Sequence, residues 1–301
     1  MIVRVGPSGR ILVYTGAVAM GQSTKTMLAQ IVAEQLGGDM ANVNVVAGDT
    51  GTVPTGMGGS NSRQAVLAGT SAHSAALKVR RKLIRIASHL LEAAEEDLEV
   101  EGRNVHVKGA KGMAVDFGKV ANAVAGTAGY SLPGGEEPGL EAMDSTVIDP
   151  MTYANGTAVA EVEVDIHTGA VRILKLVFVH DCGRILHPMV VDGQLIGGVA
   201  HGIGNALFEW MRYDENGQPI TGTLADYLLV SATEMPRVEL GHHESPTPLN
   251  PLGIKGVGEC GVMPIAPAVV SAVEDALKPF AVRISRTPIT PGDIVEWVSK
   301  A

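Results

Sequence analysis

Residues 156–183 read GTAVAEVEVDIHTGAVRILKLVFVHDCG. Apolar and polar residues alternate on both sides of a short turn at His167-Thr168-Gly169, the pattern of two strands whose side chains point in turn to opposite faces. A turn this short joins antiparallel neighbours, because a parallel pair needs a crossover of about a dozen residues or more. The hairpin therefore argues for mixed sheets over a doubly wound parallel one.

The rest of the chain agrees. MIVRVGPSGRILVYTG (1–16) has the look of a strand pair and not of a signal peptide. VNVVAGDT (43–50) reads as a short strand and LEVEGRNVHVKG (98–109) as another hairpin. Between them, TKTMLAQIVAEQLGG (24–38) carries apolar residues at helical spacing and stops at a Gly pair. QAVLAGTSAHSAALKVRRKLIRIASHLLEAA (64–94) predicts a long helix with a basic stripe. In the second half, VDGQLIGGVAHGIGNALFEW (191–210) predicts a Gly-rich helix, LADYLLVSA (224–232) is an apolar stretch, and APAVVSAVEDAL (266–277) predicts a helix with Pro at its start. GYSLPGGEEPGLEAMDSTVIDP (129–150) is rich in Gly, Pro and acid without periodicity. The expected fold class is α+β: a first lobe over 1–128, a connecting excursion over 129–150 and a second lobe over 151–301, each of mixed sheets with packed helices.

Composition narrows the function. A chain of 301 residues can bury a sizeable core, and 46% hydrophobic against 18% charged residues suits a subunit of a larger assembly. The net charge of −9 argues against nucleic acid or an acidic membrane surface as partner. No run approaches the roughly 20 apolar residues of a membrane span. Cys182 and Cys260 are the two cysteines, too few for a disulfide scaffold or a four-cysteine cluster. Reduced thiols in a cytoplasmic protein are the expectation, with any iron–sulfur clusters on other chains.

Four corners are rich in small residues: MGQST (20–24), GMGGSNSR (56–63), GGVAHGIG (197–204) and GIKGVGECG (253–261). The first two precede helices, where unpaired N–H groups and the helix dipole suit phosphate. Ser60, Asn61 and Ser62 add donors, Arg63 a charge-assisted one, and Gln22 an amide that donates and accepts. The plainer explanation is that Ser and Asn before a helix are caps and that Gly-rich turns are common. No P-loop and no Rossmann fingerprint occurs. His201 stands alone in an apolar helix, ordinarily the place of a core residue. Cys182 with His180, Asp181 and His187 fits no closed zinc spacing, and His242–His243 fall in a Pro-rich, solvated stretch. Glu259, among Gly253, Gly256, Gly258 and Gly261, is either a surface turn residue or a group aimed at a ligand.

Taken in order, the corners resemble the C-terminal half of the molybdenum-binding subunit of the xanthine dehydrogenase / aldehyde oxidase / carbon monoxide dehydrogenase family, the molybdenum hydroxylases. The resemblance runs from about residue 10 to about residue 290. It implies a fold of the molybdopterin-binding domain type. It also implies that Gly21, Gln22, Ser23 and Thr24, with Gly59, Ser60, Asn61, Ser62 and Arg63, bind molybdopterin cytosine dinucleotide. His201 and the loop Lys255, Gly256, Val257, Gly258 would lie near the cofactor, and Glu259 beside the molybdenum as catalytic base. The metal is held by the pterin dithiolene and by no side chain. Ser23 stands where the family's third Gly is usual.

The implied reaction is hydroxylation of an electron-poor carbon, N-heteroaromatic or aldehyde, with oxygen from water. The chain resembles a split medium molybdopterin subunit as in nicotinate dehydrogenase. Its implied partners are a second molybdopterin-binding subunit, an iron–sulfur subunit, an FAD subunit and a small-molecule substrate. A non-catalytic scaffolding subunit of the same fold and an unrelated phosphate-ligand-binding protein are the alternatives; Glu259 together with both anchor turns favours the enzyme.

Overall fold

The alternation in IVRV and ILVYT is realised in the computed structural model, which describes residues 1–56, 58–126, 132, 135–149 and 151–301. The chain divides into two units, one of Met1–Met151 with Pro248–Gly253, the other of Thr152–Thr247 with Ile254–Ala301.

In the first unit β1 (Ile2–Val5) pairs antiparallel with β2 (Ile11–Thr15), Val3 opposite Val13. Val3, Val5, Ile11 and Val13 are buried, as a period of two requires of a half-covered sheet. Helix α1 (Thr24–Gln35) is the crossover that brings β3 (Val43–Ala47) parallel to β2. A π-helical turn, Ala65–Gly69, runs into α2 (Thr70–Leu91). The buried face of α2 is Ala72, Ala75, Ala76, Val79, Leu83, Ile86 and Ala87, spaced by three and four as one helical stripe. A separate meander follows, β4 (Leu98–Glu101), β5 (Asn104–Val107) and β6 (Ala110–Asp116). Asp116 then caps α3 (Phe117–Ala123), accepting from the Lys119 N–H at 3.0 Å.

Part of the stretch 129–150 returns to this unit. Leu140 is buried, its carbonyl accepts from the Val5 N–H at 2.9 Å, and β7 (Glu141–Met143) adds antiparallel to β1. The first sheet thus runs β3-β2-β1-β7. Residues 127–131, 133, 134 and 150 of the expected lobe end and excursion lie outside the described residues.

The second unit is built on the hairpin that decided the fold class. β8 (Asn155–Val164) pairs with β9 (Val171–Asp181), and β10 (Val238–His242) adds parallel to β9, so the order is β10-β9-β8. Helices α4 (Pro188–Leu207) and α5 (Ile265–Ala276) supply the core with Leu195, Val199, Ile203, Ile265 and Val269 against Leu176 and Phe178. A second cluster of Val273, Leu277, Ile289 and Ile294 takes in α6 (Pro291–Ser299). Helix α6, absent from the expected elements, opens with a reciprocal Thr290–Asp293 capping box. Both sheets with a parallel pair also contain antiparallel pairs, and the α+β assignment holds. The apolar stretch LADYLLVSA forms turns and leaves Leu224, Leu228 and Leu229 exposed.

Candidate functional site

The first two corners lie in the first unit. Past β2 the chain turns into α1 through Ser23, whose φ of 62° is left-handed and whose side chain makes no cap. Ser23 thus adopts the backbone region that a glycine would enter without strain. In the second corner Asn61 and Ser62 are left-handed too, at φ 61° and 51°. Ser60 and Asn61 are exposed, and Arg63 folds back so that its Nε donates to the Gly58 carbonyl at 3.0 Å.

One residue joins these corners, and no motif in the sequence marks it. Gln64 is buried and follows Arg63 directly. Its Oε1 accepts from Gln22 Nε2 and from Thr24 Oγ1, each at 2.7 Å, and its Nε2 donates to the Val18 carbonyl at 2.9 Å. Gln22 in turn accepts from the Met20 N–H, which closes the first turn on itself. The backbones also meet: a Cβ on Gly16 would lie 2.4 Å from the Thr55 carbonyl oxygen, and one on Gly56 2.3 Å from that of Gly16. Only glycine permits that approach. The available signal was an amide residue standing just ahead of a buried helical stripe.

The donor set suits a phosphate-bearing ligand. The α1 N-terminus has no side-chain cap, and nothing lies within 4 Å of where a Cβ would stand on Gly21 or Gly58. Neither 16–24 nor 55–64 contains an acidic side chain. Uncapped N–H groups, open space and exposed hydroxyl and amide groups fit an anionic group such as phosphate.

The other two corners lie in the second unit. His201 is exposed on α4, not packed in the core as a lone histidine in an apolar helix is expected to be. Gly198 of the same helix meets Gly261 of the loop: a Cβ on Gly198 would stand 2.7 Å from the Gly261 Cα, and one on Gly261 2.6 Å from the Leu195 carbonyl oxygen. At least one glycine of the Glu259 loop therefore serves a helix contact within the protein. Val257 packs half-buried on the core cluster, while Gly258 and Glu259 form an exposed turn before α5.

Lys255 is committed to the interior. Its Nζ lies 2.7 Å from Asp181 Oδ2, each side chain 11% exposed, and its backbone N–H donates to the Cys182 carbonyl at 2.8 Å. Asp181 Oδ1 also accepts from the Gly183 and Ser245 N–H groups, at 2.7 and 3.2 Å. Burial pushes the Asp181 carboxyl up, but the bonds from Lys255, Gly183 and Ser245 outweigh it and hold the group below its ordinary value. His242 stands in β10 and not in a loop; its Nδ1 lies 2.6 Å from Nε2 of buried His180. Burial first, and the neighbouring His242 second, push His180 down. Burial pushes the Cys182 thiol up to about 12 and Cys260 up to about 11. Among the described residues no group of three or more His, Cys, Asp or Glu is placed to hold a metal ion.

With this geometry in place, comparison with known proteins settles the class. Residues 1–236 match the molybdopterin cofactor-binding domain family, and the chain belongs to it. It is 40% identical over 293 residues to the gamma subunit of the 6-hydroxypseudooxynicotine dehydrogenase complex of Paenarthrobacter nicotinovorans, covering 97% of this chain and 36% of that protein. It is 36% identical, with the same coverage, to the nicotine 6-hydroxylase large subunit of that organism. Among solved structures it superposes on quinoline 2-oxidoreductase from Pseudomonas putida 86 with a TM-score of 0.90 and 40% identity, over 99% of this chain and 38% of that one. The chain thus spans little more than a third of the length of these relatives. The first two carry subunit names, and no helix among the described residues is long and apolar enough to cross a membrane.

Proposed function

We propose that this chain is the molybdopterin-binding part of a multi-subunit molybdenum hydroxylase. The observation that carries the reading is the family match over residues 1–236. In this reading Gly21–Thr24 and Gly59–Arg63 hold molybdopterin cytosine dinucleotide through backbone N–H groups, hydroxyls and amides, with Gln64 keeping the two corners in register. His201 and the loop Lys255–Gly258 line the approach to the pterin. When bound, the cofactor would supply the redox chemistry for a two-electron oxidation of the substrate carbon. Glu259 would take one of the two protons released in the hydroxylation, the one on the water-derived oxygen as it attacks the carbon, the task of a general base. The substrate is a small molecule with an electron-poor carbon. N-heteroaromatics are favoured, since nicotine and quinoline in the relatives' names belong to that class.

Two cysteines cannot bind a cluster that needs four thiolates, so in this reading any iron–sulfur cluster lies outside these 301 residues, and FAD is assigned with the clusters to companion subunits. A second molybdopterin-binding polypeptide completes the pocket. Free thiols at Cys182 and Cys260 support a reducing compartment, the cytoplasm.

Glu259→Gln tests the reading in the assembled complex. Molybdenum content should stay full while substrate-dependent reduction falls by roughly 10²–10⁴. Full metal with near-normal reduction would show that Glu259 is a turn residue. A complex that carries no molybdenum with the wild-type chain would remove the whole assignment.

A further inference from the structure

Strands β9 and β10 run parallel with His180 opposite His242, and the two rings meet edge-on, Nε2 of His180 2.6 Å from Nδ1 of His242. On its far side His242 Nε2 lies 2.9 Å from Asp192 Oδ1 of α4. Two ring nitrogens this close share one hydrogen, and a ring nitrogen beside a carboxylate oxygen must carry one. The neutral pair therefore has a single arrangement. His242 keeps its hydrogen on Nε2, His180 donates from Nε2 to His242 Nδ1, and Nδ1 of His180 is bare. That nitrogen is buried and has no hydrogen-bond partner among the described residues. A proton added to the pair must put an N–H at His180 Nδ1, where none of them accepts it.

We propose that Asp192, His242 and His180 form a proton-sensitive latch: while neutral it pins the Lys255 end of the Glu259 loop, and it releases that end when the pair takes up a proton. The catalytic meaning of the loop rests on the proposed function; the latch itself does not. The linkage is short. The His180 carbonyl accepts from the His243 N–H at 2.9 Å. The next residue, Asp181, accepts from the Ser245 N–H at 3.2 Å and holds Lys255 Nζ at 2.7 Å. The Lys255 N–H donates to the Cys182 carbonyl at 2.8 Å. Residues 180–182 thus grip both the exit of β10 and the start of the loop.

The groups felt by His180 are Asp181 on its own strand, His242 from β10 and Asp192 from α4, while β8 places uncharged Gly156 opposite it. His187, Glu244 and Lys255 are taken up elsewhere, by the Val190 N–H, the Ile185 N–H and Asp181. Burial and His242 push His180 down, and the two carboxylates only partly offset them. The opened segment binds a proton that the closed one refuses. Closure is therefore complete above the ordinary histidine value of about 6.5 and weakens as pH falls below it.

The test follows amide exchange of the full chain in its complex, corrected for the intrinsic pH dependence of exchange. Protection of the His243, Ser245 and Lys255 amides should fall about tenfold or more between about pH 6.5 and pH 5, while the amides of α2 keep theirs. Replacing both rings, His180→Gln with His242→Gln, should hold protection within about twofold over that range. His180→Phe puts a ring of similar size beside Phe178 and leaves His242 to charge freely against Asp192, so it serves the same comparison if the double variant does not fold. Flat wild-type protection, an equal fall at α2, or an undiminished fall in a folded variant overturns the latch and leaves the functional reading standing. Opening as described, with substrate-dependent reduction unchanged at the acid end, supports the latch and counts against Glu259 as the base.

Discussion

Gln22 donates its side-chain amide to Gln64 at 2.7 Å, across 42 positions of sequence. The same Gln64 oxygen accepts from Thr24, the first residue of α1. One buried amide thus sets the distance between the turn that opens α1 and the turn that leads into α2. Both turns carry left-handed non-glycine residues that a loosened structure would relax.

Replacing Gln64 by Leu keeps its bulk and removes its three hydrogen bonds. At about 0.5–1.5 kcal/mol for each of the three lost bonds, the expected loss of stability is about 1.5–4.5 kcal/mol. Molybdenum content, measured well below the melting transition, should fall with it. A folded variant with full molybdenum would show that the corners hold their ligand without this brace.

Ser23→Gly should stabilise the chain. Releasing an L-residue from the left-handed region returns about 1–2 kcal/mol, and the entropy lost on ordering glycine takes back about 0.5–1 kcal/mol. The net gain of about 0.5–1 kcal/mol is read from the urea midpoint, with cofactor content unchanged or higher. Ser23→Val should move the midpoint the other way, since a β-branched side chain resists that conformation.

Lys255→Met leaves Asp181 buried without its cation and should cost about 3–5 kcal/mol near neutral pH. The pH dependence has a definite sign. Asp181 titrates below its ordinary value in the folded chain. Its contribution is therefore complete above the unfolded carboxylate pKa of about 3.9 and is lost as pH falls through the lower folded value. The difference between wild type and variant should be largest near pH 7 and shrink as pH falls, first as the uncompensated Asp181 of the variant takes up a proton and finally as wild-type Asp181 does. A difference that persists unchanged at the lowest pH would mean that the loss is one of packing.

Cys182 and Cys260 should resist alkylation. With thiols pushed up to about 12 and about 11, the thiolate fraction at pH 8 is roughly 10⁻⁴ and 10⁻³, against about a quarter for an unperturbed thiol. Peptide mapping after iodoacetamide at pH 8 should find only traces of modification in the native chain, more at Cys260 than at Cys182. Both should react readily in denaturant. Native-state labelling at the unfolded rate would contradict their burial.

What the residues alone determined is local. The period of two in 156–183 and the helical spacing in 24–35 and 70–91 specified elements, because a strand or helix repeats its burial every two or 3.6 residues whatever lies beyond. The glycine, serine and asparagine clusters marked where the chain turns and where donors are exposed, since those residue types tolerate left-handed backbone and bond to it. The partners were decided only in three dimensions. Gln64 sits in sequence as the first residue of a helix, and nothing local says that it reaches Gln22. Lys255 reads as a cation of a cofactor loop, and the fold gives it to Asp181, 74 positions away. Gly261 lies in a run of glycines that reads in sequence as a ligand loop, and it meets Gly198 of α4. Glu141–Met143, in a stretch without periodicity, becomes β7 because β1 offered an unpaired edge. Each of these pairings depends on closing a long loop and on which buried group still lacks a partner, and neither quantity has a period that a sequence can display.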